Sequence, residues 1–227
     1  MRPGVIVLLH SPLTTAAAWG RLPEVLRAAG YPVVAPDIRD DDHPPYAQRY
    51  VARAALEIAG APEIREAPGT PVTLVAHSGA GPLLPVIGSA QRAAHRRVAG
   101  YVFADAGLPP VGSLTRMAMF PRDIADHLDG LFAAGGAFPD WPAPPGLEGT
   151  LRPRGRDFFT EPLPTPQDWP DAPCGVLQWS EAYADVARQA ASRGWPVVPF
   201  TGADDHFAAH TDPDGTAAAL ADLLATM

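Results

Sequence analysis

Two stretches of the chain carry side chains whose type and placement suit nucleophilic chemistry. In "VTLVAHSGAGPLLP", Val72–Pro85, a run of β-branched and apolar residues leads into Ser78 and then into a glycine-rich, helix-compatible segment. A serine on such a strand-to-helix turn, with small residues two before and two after it, has its hydroxyl lifted above the sheet. Here the flanking residues are Ala76 and Ala80, with Gly79 and Gly81 adjacent, a relaxed form of a pattern that usually has glycine at both flanks. Taken alone, Ser78 reads either as a nucleophile or as a small residue that lets a strand meet a helix. In "TGADDHFAAHTDPDG", His206 lies between the last apolar run and the last helical stretch. Ligands of open α/β sheets bind at the carboxyl ends of the strands, where both residues fall. A hydroxyl with an imidazole base at hand attacks carbonyl carbon, so the chemistry in question is acyl transfer.

Such a pair works only if a rigid scaffold brings it together. Short apolar runs bounded by turn residues predict strands at Val5–Leu9, Val33–Ala35, Val72–Ala76, Gly100–Ala104, Gly175–Trp179 and Pro196–Phe200. Helix-period stretches between them predict helices at Trp19–Ala29, Tyr46–Ala59, Gly79–Ala90, Glu181–Arg193 and Pro213–Ala225. The last has a clear start, with Asp212 as N-cap and Pro213 at the first helical position, where a missing N–H costs nothing. Strands alternating with helices, and continuously apolar, predict an α/β fold: a mostly parallel sheet of about six strands covered on both faces. The 227 residues suit a single domain, 1–227.

One region breaks the rhythm. Many of the 28 prolines fall between Pro109 and Pro173, around one predicted helix, Pro121–Gly135. A segment this long and irregular in a compact domain is usually functional or mobile. Its aromatic residues Trp141, Phe158, Phe159 and Trp169 suggest a cap, at about 109–173, that closes an apolar pocket.

Composition excludes several classes. A formal charge of −8, with seventeen arginines and no lysine, offers no basic patch for phosphate or anionic lipid, so nucleic-acid and membrane partners are not expected. Without lysine there is no protein Schiff base and no lysine-bound pyridoxal phosphate. Cys174 is the single cysteine, which excludes an internal disulfide and suits the cytoplasm. The apolar run after Arg2 is too short for an export signal, and no continuous apolar stretch is long enough for a membrane helix. Asp40, Asp41, Asp42 and His43 read as a solvated acidic turn, since no second ligand cluster accompanies them, so no metal site is expected. His43, His95 and His127 read as solvated positions.

The chain resembles the α/β-hydrolase superfamily over most of its length. "VIVLLHSPLTTAAAW" is similar to the first oxyanion strand and loop, "VVAPDIRDDD" to the next strand and its acidic turn, "VTLVAHSGAG" to the nucleophile elbow, and "DDHFAAHTDP" to the histidine loop. The resemblance implies an α/β-hydrolase fold that needs no cofactor, with six of the family's eight strands present and a cap before the penultimate strand. It also implies that Ser78 attacks an acyl carbon, that His206 rather than His210 takes its proton, and that a carboxylate orients the histidine. Where the family acid usually stands, "LQWSEAYADV" places Tyr183. The resemblance leaves two replacements: Asp105, at the end of the strand after the elbow unit, a position some lipases of this fold use, and Glu181. Asp105 is favoured because a strand end holds a carboxylate still, whereas Glu181 begins a helix and can simply complement its dipole. One oxyanion donor would be the Gly79 N–H. The other should come from the loop after the first strand, where His-Gly-x has become His10-Ser11-Pro12, and proline has no N–H. Ser11 Oγ or the Leu13 N–H are the substitutes, with His10 and His77 as further pocket candidates.

These readings make the leading expectation a cytoplasmic, cofactor-free serine hydrolase that cleaves an ester or thioester of a small apolar acyl substrate. A cyclase or lyase using the same site, and a ligand-binding protein without turnover, are the alternatives. The arginine-for-lysine bias resembles proteins of high-GC bacteria, in which such enzymes often serve secondary metabolism.

Overall fold

A computed structural model describes residues 4–40, 43–110, 112, 114–164, 168–199, 202 and 205–227. Six strands form one sheet in the order β2-β1-β3-β4-β5-β6: β1 Val5–Leu9, β2 Val33–Val34, β3 Val72–Ser78, β4 Val98–Ala106, β5 Cys174–Gln178 and β6 Val197–Pro199. Every strand pairing within this sheet is parallel. The six predicted strands are thus present; Phe200, the expected end of the last, lies outside the described residues.

The covered sheet follows from strict alternation along its central strands. Val5, Val7 and Leu9 of β1, Leu74 and Ala76 of β3, and Tyr101 and Phe103 of β4 enter one core. Ile6, Leu8, Val75, Val102 and Ala104 enter the other. Since successive side chains point to opposite faces, a strand apolar at every position must be buried on both. The first face is closed by α2 (Tyr46–Gly60), whose Tyr50, Ala54 and Ile58 join that core, and by α4 (Leu84–Ala93) with Leu84 and Ile87. The second is closed by α1 (Leu22–Ala28), with Leu22 and Leu26, and by the C-terminal helix α10 (Pro213–Thr226), with Leu220 and Leu223. The remaining helices are α3 (Pro62–Arg65), α5 (Arg116–Met119), α6 (Arg122–Ala133), α7 (Arg156–Thr160), α8 (Ala184–Ser192) and α9 (Ala208–Thr211). Asp212 caps α10 as expected: its side chain accepts the Gly215 N–H at 2.9 Å.

Three helices begin later than their periodicity predicts. Gly20, at φ 51°, separates a 3-10 turn, Ala16–Trp19, from α1. Beyond the elbow, a 3-10 turn at Gly81–Leu83 precedes α4, with Pro85 in its first turn, where proline is tolerated. Glu181–Tyr183 is likewise a 3-10 turn ahead of α8.

Among its described residues the segment around 109–173 holds only α5, α6 and α7, with isolated antiparallel bridges between Thr115 and Pro162 and between Phe138 and Arg154. Phe158 and Phe159 pack with Tyr46, Leu128 and Phe132 in an apolar cluster of their own. The other two aromatics differ from expectation. Trp141 is 45% exposed, and Trp169 turns back onto Tyr101, Phe103 and Trp195 in the sheet core. The segment is fastened to the loops after β1 and β2: the Arg152 N–H donates to Leu13 O at 2.8 Å, and Arg154 pairs with Asp40 at 2.7 Å. Asp40 is therefore buried rather than solvated, because a guanidinium from the insertion neutralises it. Asp41 and Asp42 lie outside the described residues, and His43, His95 and His127 are exposed as expected.

Candidate active site

Ser78 is the last residue of β3, and its φ of 55° puts a non-glycine residue in the left-handed region. Holding it there costs about 1–3 kcal/mol and requires over-determining surroundings. Those surroundings are tight. The register against β4 shifts between His77 and Ser78, Ala76 and Ala80 are fully buried, and a Cβ on Gly81 would lie 2.1 Å from the Gly107 carbonyl oxygen. The small residues around the serine are thus what lets β4 and the following turn close on the elbow.

Asp105 sits near the end of β4, also at positive φ, 43°, and is fully buried. Its carboxylate accepts four hydrogen bonds. Oδ1 takes the N–H groups of Trp179 (2.8 Å) and Ser180 (3.0 Å). Oδ2 takes the Ser180 hydroxyl (2.5 Å) and His206 Nδ1 (2.8 Å). With Nδ1–H donating to a carboxylate, a neutral His206 presents Nε2 bare, ready to accept a proton. Glu181, the other candidate acid, is exposed at the start of its 3-10 turn. Trp179 and Ser180 complete the seat of Asp105 and were not legible in the sequence, because two of their three bonds are backbone N–H groups.

The His206 loop is fastened from both sides. Asp205 accepts the Phe207 N–H at 2.8 Å and the Thr211 hydroxyl at 2.6 Å. The His206 carbonyl accepts His77 Nε2–H at 2.9 Å. His77 is buried among Trp19, Trp179, His206 and Phe207, and burial holds its pKa well below the usual histidine value. Tyr183 stacks parallel to the His206 ring, with centroids 5.2 Å apart and planes 3° from parallel, and its hydroxyl lies beside Ser78. No hydrogen bond among the described residues joins Ser78 Oγ directly to His206. In free enzymes such contacts are often long and tighten when substrate binds.

On the other side of Ser78, the loop after β1 brings Ser11 to the elbow: a Cβ on Gly79 would lie 3.1 Å from Ser11 Oγ. Ser11 Oγ accepts the Leu13 N–H at 3.2 Å, so one expected donor is engaged by the other. Among the described residues nothing accepts the Ser11 hydroxyl proton or the Gly79 N–H. His10 points away from any pocket role. It is fully buried, Nδ1–H donates to Ser11 O at 2.8 Å, and Nε2 accepts the Ile38 N–H at 2.9 Å. Tyr50 also donates to the His10 carbonyl. These contacts set the shape of the loop that carries Ser11.

Burial pushes the His10 pKa down from 6.5 to about 4. The unfolded chain therefore binds more protons between those values, and stability falls as pH drops through this window. A depression of that size is worth about 3 kcal/mol, with His77 adding in the same direction. Urea unfolding at pH 7.5 and 4.5 is expected to show this loss, and a smaller one in His10→Gln.

Among the described residues, no group of three or more His, Cys, Asp or Glu side chains could hold a metal ion, and no helix is long and apolar enough to cross a membrane. Cys174 is a buried free thiol whose pKa burial raises to about 12.

No curated protein sequence matches the chain. Solved structures similar to it share its fold at low identity. An extracellular alpha/beta-hydrolase from a Paenibacillus species, described as sharing structural and functional homology with tobacco salicylic acid binding protein 2, is 18% identical with a TM-score of 0.73, covering 97% of this chain and 99% of that one. A pyrethroid hydrolase from Sphingobium faniae JZ-2 is 20% identical with a TM-score of 0.63, covering 97% of each chain. Tomato methylketone synthase I, complexed with 2-tridecanone, is 15% identical with a TM-score of 0.64, covering 98% of each. The model of the alpha/beta hydrolase family matches residues 6–219, and the chain, with its parallel sheet and its serine on a left-handed turn at the end of β3, belongs to that family.

Proposed function

We propose that the protein is a serine hydrolase that cleaves an ester or thioester of a small, largely apolar acyl substrate through an acyl-Ser78 intermediate. The observation that carries this reading is the 2.8 Å bond from His206 Nδ1 to the buried Asp105, in the cluster that includes Ser78. Ser78 Oγ attacks the acyl carbon while His206 Nε2 takes its proton; the same proton then goes to the leaving oxygen or sulfur. Asp105 keeps the imidazole in the required tautomer and stabilises it when charged. Water, deprotonated by His206, hydrolyses the acyl-enzyme. The Gly79 N–H and the Ser11 hydroxyl proton, both without an acceptor among the described residues, are the donors for the oxyanion. The acyl group lies under a cap formed by residues of about 109–173, whose own apolar core is the cluster of Phe158 and Phe159. A cytoplasmic site of action rests on the lone cysteine.

Initial rates on acyl esters and thioesters of graded chain length test the substrate class, with turnover expected for short apolar acyl groups and a fall as the chain lengthens or acquires charge. The second reading, a cyclase or lyase, is favoured by one observation, that Pro12 has no N–H where the family pattern supplies a donor. Turnover that survives Ser78→Ala but not His206→Ala would select it. A folded protein that never reacts with a fluorophosphonate yet retains a small ligand would select a binding role.

A further inference from the structure

Tyr183 occupies the place where the resemblance expects an acid, and its surroundings assign it work there. Its ring stacks parallel to the His206 imidazole and offset from it, with centroids 5.2 Å apart and planes 3° from parallel, while Asp105 holds the ring edge at Nδ1. Its hydroxyl meets Ser78, and burial raises the phenol to about 12, so it stays neutral and able to donate. The sheet order puts it on the far side of β3 from the loop that carries Ser11: β1 flanks β3 on one side, β4 and β5 on the other. Tyr183 is thus placed at the proton-transfer side of the nucleophile, away from the Gly79–Ser11 side.

We propose that Tyr183 is a catalytic residue whose ring face stabilises the protonated His206 and whose hydroxyl hydrogen-bonds Ser78 Oγ as it becomes, and later departs as, an alkoxide. The inference rests on the hydrolase reading only for its second half. An imidazolium facing an aromatic ring is stabilised by the ring quadrupole, more strongly where water is excluded. Among the described residues, the charged groups that face His206 are Asp105 from β4 and, when charged, His77 from β3; the Asp205 carboxylate is engaged within its own loop. During acylation the Ser78 O–H bond breaks, its proton goes to His206 Nε2 and the Oγ–C bond forms. The phenol keeps its proton throughout and lends only a hydrogen bond. In deacylation water adds to the acyl carbon as its proton goes to His206 Nε2; the Oγ–C bond then breaks while His206 returns that proton to Oγ, and the phenol supports the departing oxygen until the proton arrives.

Two variants separate the halves. Tyr183→Phe keeps the stacked ring and loses the hydroxyl, whereas Tyr183→Leu loses both. The His206 imidazole pKa is followed by NMR titration, with His206→Gln used to assign the resonance, so the first readout needs no substrate. In Tyr183→Leu that pKa is expected to fall by about half a unit to one and a half units, and in Tyr183→Phe to stay within a few tenths. Tyr183→Phe is expected to lose about tenfold in kcat with little change in KM, and to show a burst of leaving group from slowed deacylation. An unmoved His206 pKa in a folded Tyr183→Leu overturns the stabilising stack, and full turnover without a burst in Tyr183→Phe overturns the role of the hydroxyl. If no ester or thioester is turned over at all while the NMR shift appears, the hydrolase reading and the hydroxyl role fall together and the stack stands.

Discussion

Ser78→Ala is expected to lower kcat by about 10⁶-fold on any substrate the protein hydrolyses, the scale seen when the nucleophile of such a unit is removed. The variant isolates the hydroxyl. Alanine has the same Cβ, so the close contacts of the elbow at Ala76, Ala80 and Gly81 are untouched, and the left-handed backbone costs alanine about what it costs serine. KM should change little, because in the proposed mechanism the acyl group is held away from the Ser78 hydroxyl and the Gly79 N–H is still present. The check is steady-state kinetics paired with a fluorophosphonate probe: covalent labelling of the wild-type protein, none of the variant, at unchanged melting temperature. Near-wild-type turnover by folded Ser78→Ala would remove the covalent mechanism altogether.

Asp105→Asn carries the second largest expected effect, about 10⁴-fold in kcat. The cause is the tautomer. Asparagine can keep an oxygen for the N–H groups of Trp179 and Ser180, which hold Oδ1 at 2.8 and 3.0 Å, so the turn after β5 should persist. Its amide NH₂ then faces His206 Nδ1 in place of Oδ2 and donates where the carboxylate accepted. The imidazole must carry its proton on Nε2 instead, and it can no longer receive one from Ser78. Glu181→Gln is expected to leave kcat within about twofold, because Glu181 is exposed and Asp105, not Glu181, meets His206. A loss in the Glu181 variant with none in Asp105→Asn would reverse the assignment of the orienting carboxylate.

Much of the scaffold was legible because it is local. Alternation along Val5–Leu9 and Val72–Ala76 puts side chains into two cores whatever lies far away in the chain, and the Asp212-Pro213 start of the last helix depends on its own neighbours. The irregular segment announced itself through proline, which removes donors and limits φ. What its aromatics would touch was not legible. Trp169 and Phe158 are alike in sequence context, yet one lies on the sheet core and the other in a separate cluster. Asp40 misled for the same reason, since the charge that neutralises it comes from Arg154, 114 residues away.

By itself the sequence determined the alternating strands, their helical crossovers, the small-residue turn at Ser78 and the histidine that follows the last strand, because each depends on periodicity or turn chemistry within a few residues. Only the tertiary structure decided which carboxylate meets His206. Asp105 and His206 are 101 residues apart, and Asp105 is seated by N–H groups from the turn after β5, so their meeting depends on the order of strands in the sheet. The same order brings Tyr183 against His206 and Ser78. A hydrogen bond or a stacked ring acts over a few ångströms of space, and distance along the chain carries no record of it.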